Sequence, residues 1–66
     1  MSRVHFYECI GKGGLYRLIM TAKPAGTATE DAVFYQCEDT GQAYWCYASD
    51  FDRRMRLVRV TDGDTE

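Results

Sequence analysis

The chain has 66 residues, 45% hydrophobic and 14% aromatic, with Lys and Arg totalling 8 against 10 Asp and Glu. That length holds one domain and leaves no room for a second, and so short a chain buries only about 60% of the surface its unfolded form exposes. A formal net charge of −2 argues against a general nucleic-acid binder, which carries a basic excess, and 27% charged residues is too few for a disordered chain.

Period-two patterning dominates from the N-terminus onward. "VHFYEC" (4–9) sets Val4 and Phe6 on one face of a strand and His5, Tyr7 and Cys9 on the other. "GKGG" (11–14) is a turn, since its glycines accept positive φ. "LYRLIMTAK" (15–23) then alternates Tyr16, Leu18, Met20 and Ala22 against Leu15, Arg17, Ile19 and Thr21. "PAGTATED" (24–31) holds the only proline and offers little to bury, so it reads as a mobile loop. "AVFYQCE" (32–38) resumes the strand pattern, "DTGQ" (39–42) is a hairpin turn, and "AYWCY" (43–47) is the return strand. "ASDFDRR" (48–54) offers Ser49 or Asp50 as a helix cap and predicts one short helical turn. "MRLVRV" (55–60) closes the pattern as a fifth strand.

Five short strands on a hairpin-rich path predict an all-β domain over residues 1–60, with 61–66 an acidic flexible tail. Two architectures fit: a small, strongly bent five-stranded antiparallel sheet, or a closed barrel of the Src-homology-3 type. Closure removes the exposed edges that make small β domains aggregate. The N-terminus "MSRVHFYEC" shows no apolar core region or cleavage site, and no run approaches the ~18 apolar residues that cross a bilayer. A reducing cytoplasm with free thiols at Cys9, Cys37 and Cys46 is therefore the expectation.

"KGGLYRLIMTAK", "TATEDAVFYQ", an acidic glycine turn, a tryptophan and "DF" ahead of "LV" follow one another in order. This succession resembles the domain-of-unknown-function family 1653, small bacterial and phage proteins, over roughly residues 5 to 58. The matching positions are Lys12, Gly13, Tyr16, Thr29, Val33, Tyr35, Trp45 and Phe51. Two positions depart from the family pattern. The histidine that precedes its lysine-glycine turn lies further back here, at His5, and its arginine-proline after the tryptophan is replaced by Cys46, Tyr47 and Ala48. The resemblance implies a fold and a phage or bacterial accessory role; it implies no activity.

Catalytic and metal chemistry find little support in the sequence. His5 and Cys9 share a strand face but stand ~13 Å apart along it, too far for a nucleophile and its base, which leaves only a cysteine on a neighbouring strand within reach of His5. Cys37 and Cys46 lack the close spacing of zinc ligands, and they pair as a disulfide only if the hairpin sets them opposite each other under oxidation. "GKGG" lacks the Lys-Ser/Thr ending and the following helix of a phosphate loop. The carboxylates Glu30, Asp31, Asp50 and Asp52 read as solvated turn charges and helix caps. No catalytic residue, metal ligand or cofactor is assigned.

The informative features are arginine and aromatic. Arg53, Arg54, Arg56 and Arg59 fall in one short stretch, and alternation sets Arg54 and Arg56 on one face against Met55, Leu57 and Arg59. In "YWCYASDF" (44–51), Trp45 and Tyr47 share one face and Tyr44 and Cys46 the other. Trp45, Phe34 and Phe51 with Leu18, Ile19 and Val33 are the candidates for the core. Five tyrosines exceed what such a core satisfies, so a surplus is expected at the surface. These observations predict a non-catalytic binding module in which Tyr7, Tyr44, Tyr47, Arg54 and Arg56 contact a protein partner or a second copy. The alternative is nucleic-acid or nucleotide binding through the arginine strip.

Overall fold

A computed structural model describes residues 3–26 and 29–62 of the chain. Its elements are β1 (Arg3–Cys9), β2 (Leu15–Ala22), β3 (Ala32–Cys37), β4 (Ala43–Tyr47), α1 (Ala48–Arg54) and β5 (Met55–Asp62). The strands form one antiparallel sheet in the order β4-β3-β2-β1-β5. Strands β1 to β4 run up and down, through short turns at 10–14 and 38–42 and a longer connection at 23–31. Helix α1 then carries the chain from the β4 edge to the β1 side, where β5 pairs. The sheet is open, with β4 and β5 as its two edges, so the unclosed one of the two expected architectures is the one formed.

Two glycine turns make the meander tight. Gly41, at φ 78, donates its N–H to the Cys37 carbonyl at 2.8 Å. Gly14, at φ 97, takes a backbone conformation that strains other residues, and a Cβ there would come within 3.3 Å of the Tyr16 ring and push against it.

The core lies between the sheet and α1. Phe51, 4% exposed, is the residue of the helix that enters it, packing with Val33, Tyr35 and Met55. The Tyr7 ring meets Phe51 edge-on at 4.7 Å, and the Tyr35 ring lies 5.4 Å away. Such contacts add about 0.5–1.5 kcal/mol to the area they bury. Tyr7, Cys9, Tyr16, Leu18, Cys46 and Ala48 surround this cluster.

Two bulges depart from strict alternation. In β2, Leu18 faces Tyr35 and Met20 faces Phe34, so Ile19 is an extra residue. Met20 is thereby turned to the face opposite Leu18, where simple alternation would have kept them together. In β5, Leu57 faces Tyr7 and Arg59 faces Phe6, with Val58 extra. Arg59 joins Arg56 on the sheet face away from α1 instead of pointing with Met55 and Leu57.

The helix spans the residues expected, but neither Ser49 nor Asp50 caps it. The N-cap position is Tyr47, without a side-chain cap bond. Glu30, from the segment before β3, supplies the acceptor, its Oε1 receiving the Ser49 N–H at 2.9 Å. The Asp31 carbonyl accepts the Ala48 N–H at 3.0 Å, and at the other end the Arg54 carbonyl accepts the Ile10 N–H at 2.8 Å. Orphan groups at both helix ends are thus met by distant segments, and a carboxylate at the positive end adds favourable charge. Strand β5 also runs past the expected boundary at Val60: Thr61 pairs with Val4 and Asp62 with Arg3. The rest of the expected tail, and residues 27 and 28 of the expected loop, lie outside the described residues. No described helix is long and apolar enough to cross a membrane.

Candidate binding surface on the uncovered sheet face

Among the described residues one helix covers one face of the sheet, and no second layer covers the other. Residues directly opposite on neighbouring strands share a face. The registers Met20↔Phe34↔Trp45, Ala32↔Tyr47, Phe6↔Arg17↔Gln36, Phe6↔Arg59 and Glu8↔Arg56 therefore define this one. It carries Trp45 at 54% exposure, Met20 at 52% and Tyr47 at 41%. Trp45 lies 6.4 Å from Phe34 and meets Tyr47 edge-on at 5.3 Å, a continuous aromatic group reaching the β4 edge.

Arginines flank the aromatics. The Arg59 guanidinium sits 4.6 Å above the Phe6 ring. Arg17 reaches Glu38 at 3.1 Å, and Arg56 pairs with Glu8. Both pairs are exposed, so each adds at most about 1 kcal/mol and opens readily to another acceptor.

Trp45 and Ile19 are therefore not core residues. The helix occupies the other face, which leaves Trp45 54% exposed, and the β2 bulge leaves Ile19 half exposed. Phe34 is half-buried on the uncovered side. Of the expected core set, Phe51 and Val33 are buried and Leu18 packs against them.

The five residues expected to form one surface are distributed over three places. Tyr7 packs against Phe51 under the helix. Tyr47 and Arg56 lie on the uncovered face, but toward opposite edges of the sheet. Tyr44 and Arg54 lie on the helix side, where the Tyr44 ring stacks on Tyr35 at 5.8 Å. Tyr44 and Tyr47 separate because positions three apart in a strand point opposite ways. Met20, Arg17 and Arg59 were missed; two of the three reach this face, or join its arginines, only because a bulge interrupts the alternation.

On the helix side, Lys12, Tyr16, Tyr35, Tyr44, Arg54, Cys9 and Met55 line a cavity of about 180 Å³. Burial pushes the phenols of Tyr16 and Tyr35 up from their ordinary value, followed by the nearby thiols Cys37 for Tyr16 and Cys46 for Tyr35. Both phenols remain neutral donors at physiological pH.

The three cysteines are free. Cys46 faces Val33, so Cys37 and Cys46 share a face of the hairpin but are offset by four residues, about 13 Å, and are not placed for the disulfide considered above. Among the described residues, no group of three or more His, Cys, Asp or Glu side chains is placed to hold a metal ion. A hydrogen bond from the Thr40 hydroxyl, then one from the Thr40 backbone, hold the pKa of Cys37 below the ordinary thiol value. A lowered pKa means more thiolate at neutral pH, so Cys37 is expected to react with iodoacetamide at lower pH than an ordinary thiol. Thr40→Val should move the alkylation profile of Cys37 to higher pH; an unchanged profile would remove the hydroxyl's role.

Comparison with protein families, with curated proteins and with solved structures gives no match, so the reading of this surface rests on its own geometry.

Proposed function

We propose that the chain is a non-catalytic binding module whose uncovered sheet face receives a protein partner. The observation that carries this reading is the placement of Met20, Trp45 and Tyr47, all well exposed, beside Arg17, Arg56 and Arg59 on a face without a covering layer. Aromatic residues, methionine and arginine are the side chains enriched at protein interfaces, and hot spots draw heavily on Trp, Tyr and Arg. A net charge of −2 suits a protein partner better than a polyanion. A cytoplasmic accessory or regulatory role, bacterial or phage, accords with the resemblance in the sequence and belongs to the same proposal.

A second reading is single-stranded nucleic acid, and Arg59 stacked on Phe6 is the observation that favours it, because bases stack on such planar groups. One experiment separates the two. The tagged protein is used to capture partners from bacterial lysate with and without nuclease, beside the variant Met20→Asp/Arg59→Glu. A protein partner is expected to survive nuclease and to bind the variant about thirtyfold more weakly, with the circular dichroism unchanged. Capture that disappears with nuclease and falls steeply with salt would transfer the proposal to nucleic acid. Capture indifferent to the double variant would remove this face from consideration.

A further inference from the structure

The two edges of the sheet are built differently. Edge strand β5 carries Arg56, Arg59 and Asp62 and is interrupted by the bulge at Val58. Charges and bulges are the devices that stop one sheet from adding to another. Edge strand β4, Ala43–Tyr47, reads AYWCY: it has no charge, no proline and no bulge in its pairing with β3.

The backbone of β4 can be followed group by group. The Gln42 carbonyl accepts from Cys37, and the Ala48 N–H donates to Asp31. Hydrogen-bonded positions alternate in an antiparallel pair, so Tyr44 and Cys46 also bond inward to β3. Ala43 and Trp45 consequently aim their N–H and carbonyl groups away from the sheet; Tyr47 aims its N–H the same way, while its carbonyl, at the N-cap of α1, accepts the first helical hydrogen bond. The Gln42 side-chain amide donates to the Ala43 carbonyl at 3.2 Å and leaves that oxygen a second lone pair.

We infer that β4 is the site at which a second copy of this chain adds, antiparallel, about a two-fold axis at Trp45. The strand is self-complementary about that point. Trp45 would exchange hydrogen bonds with its counterpart, and the Ala43 carbonyl would accept from the N–H of Tyr47 of the partner subunit. On the uncovered face this sets small Ala43 beside a large Tyr47, and on the helix side small Cys46 beside a large Tyr44. Only the two indoles meet like with like. A two-fold contact requires this kind of self-matching surface, and an uncharged strand in a chain of net charge −2 adds little repulsion. The product is one sheet across both copies, in which the two aromatic groups adjoin. An interface of one strand edge and a few aromatic side chains belongs to the weak, concentration-dependent class. The inference stands on edge chemistry and does not require that the uncovered face bind another protein.

Sedimentation across a wide dilution series, with amide hydrogen exchange at both ends of it, tests the proposal on the intact chain. The expected result is a mass that rises about twofold with concentration, together with slowing of exchange at the Trp45 and Tyr47 amides. Trp45→Lys sets two ammonium groups face to face across the axis and should leave a monomer. Tyr47→Pro removes an outward N–H at a residue whose φ of −75 already suits proline, and should do the same. Arg59→Glu, on the other edge, should leave the association intact. A chain that stays monomeric at every concentration overturns the inference. So does a dimer whose Trp45 amide exchanges as freely as in the monomer, whether or not the variants fold. A monomer whose β4 amides slow only when a foreign chain is added assigns the edge to another occupant and overturns it equally.

Discussion

Phe51→Ala is expected to cost about 3–5 kcal/mol, the range for truncating a buried aromatic ring. At roughly 0.05–0.15 kcal/mol per residue, a chain of 66 residues has a total of about 3–10 kcal/mol to lose. The variant should therefore be largely unfolded at 25 °C, or melt far below the parent. The cause is specific: Phe51 is the one ring of α1 in the core, and Tyr7, Tyr35 and Met55 all lean on it. Without it the helix has little to hold it to the sheet, and β5 loses the connection that brings it to β1. Trp45→Ala supplies the comparison, because it removes a larger ring that is half exposed and should cost the monomer only a fraction as much. Urea titrations followed by far-ultraviolet circular dichroism measure both, at a dilution where association is absent. Equal losses at the two positions would show that the core has been misplaced.

Val33→Asp is the second large effect, and it carries a pH signature. Val33 is 6% exposed, in the cluster of Tyr35, Phe51 and Met55, and among the described residues no polar or charged side chain is buried with it. A carboxyl group forced into that cluster has its folded-state pKa raised above the unfolded value of about 3.9. The folded form then binds the proton more tightly than the unfolded form. Measured against the parent at each pH, the deficit should be smallest below about pH 4, grow as pH rises through the raised value, and be complete by neutrality. At pH 7 the loss is expected to reach about 4 kcal/mol or more, enough to prevent folding. A deficit that stays constant from pH 3 to pH 7 would mean that position 33 is reached by water.

The parts legible in the sequence are those set by near neighbours. Alternation in "VHFYEC" places Tyr7 and Cys9 together, and both do pack against the core. "AYWCY" separates Trp45 and Tyr47 from Tyr44 and Cys46, as the registers with β3 bear out. The glycines of 11–14 and Gly41 mark turns because few other residues accept those φ values. "ASDFDRR" bounds the helix correctly, yet its cap was not legible, because Glu30 reaches Ser49 from 19 residues away. The surface was less legible than the fold. A single extra residue reverses every later side chain in a strand, and neither Ile19 nor Val58 differs in kind from its neighbours. Met20 and Arg59 therefore stand on the faces opposite those that strict alternation predicts.

Composition and period-two order by themselves determined that this chain makes short antiparallel strands, where they turn, and that it has more aromatic rings than one small interior can hide. Only the tertiary structure decided which rings those are. A strand's pattern distinguishes its two faces without saying which of them a helix will cover, and that depends on where α1 crosses and on pairings between residues far apart in the chain. By seating Phe51 on the Tyr35 side, the fold left Trp45 and Tyr47 on the other, on the edge strand β4.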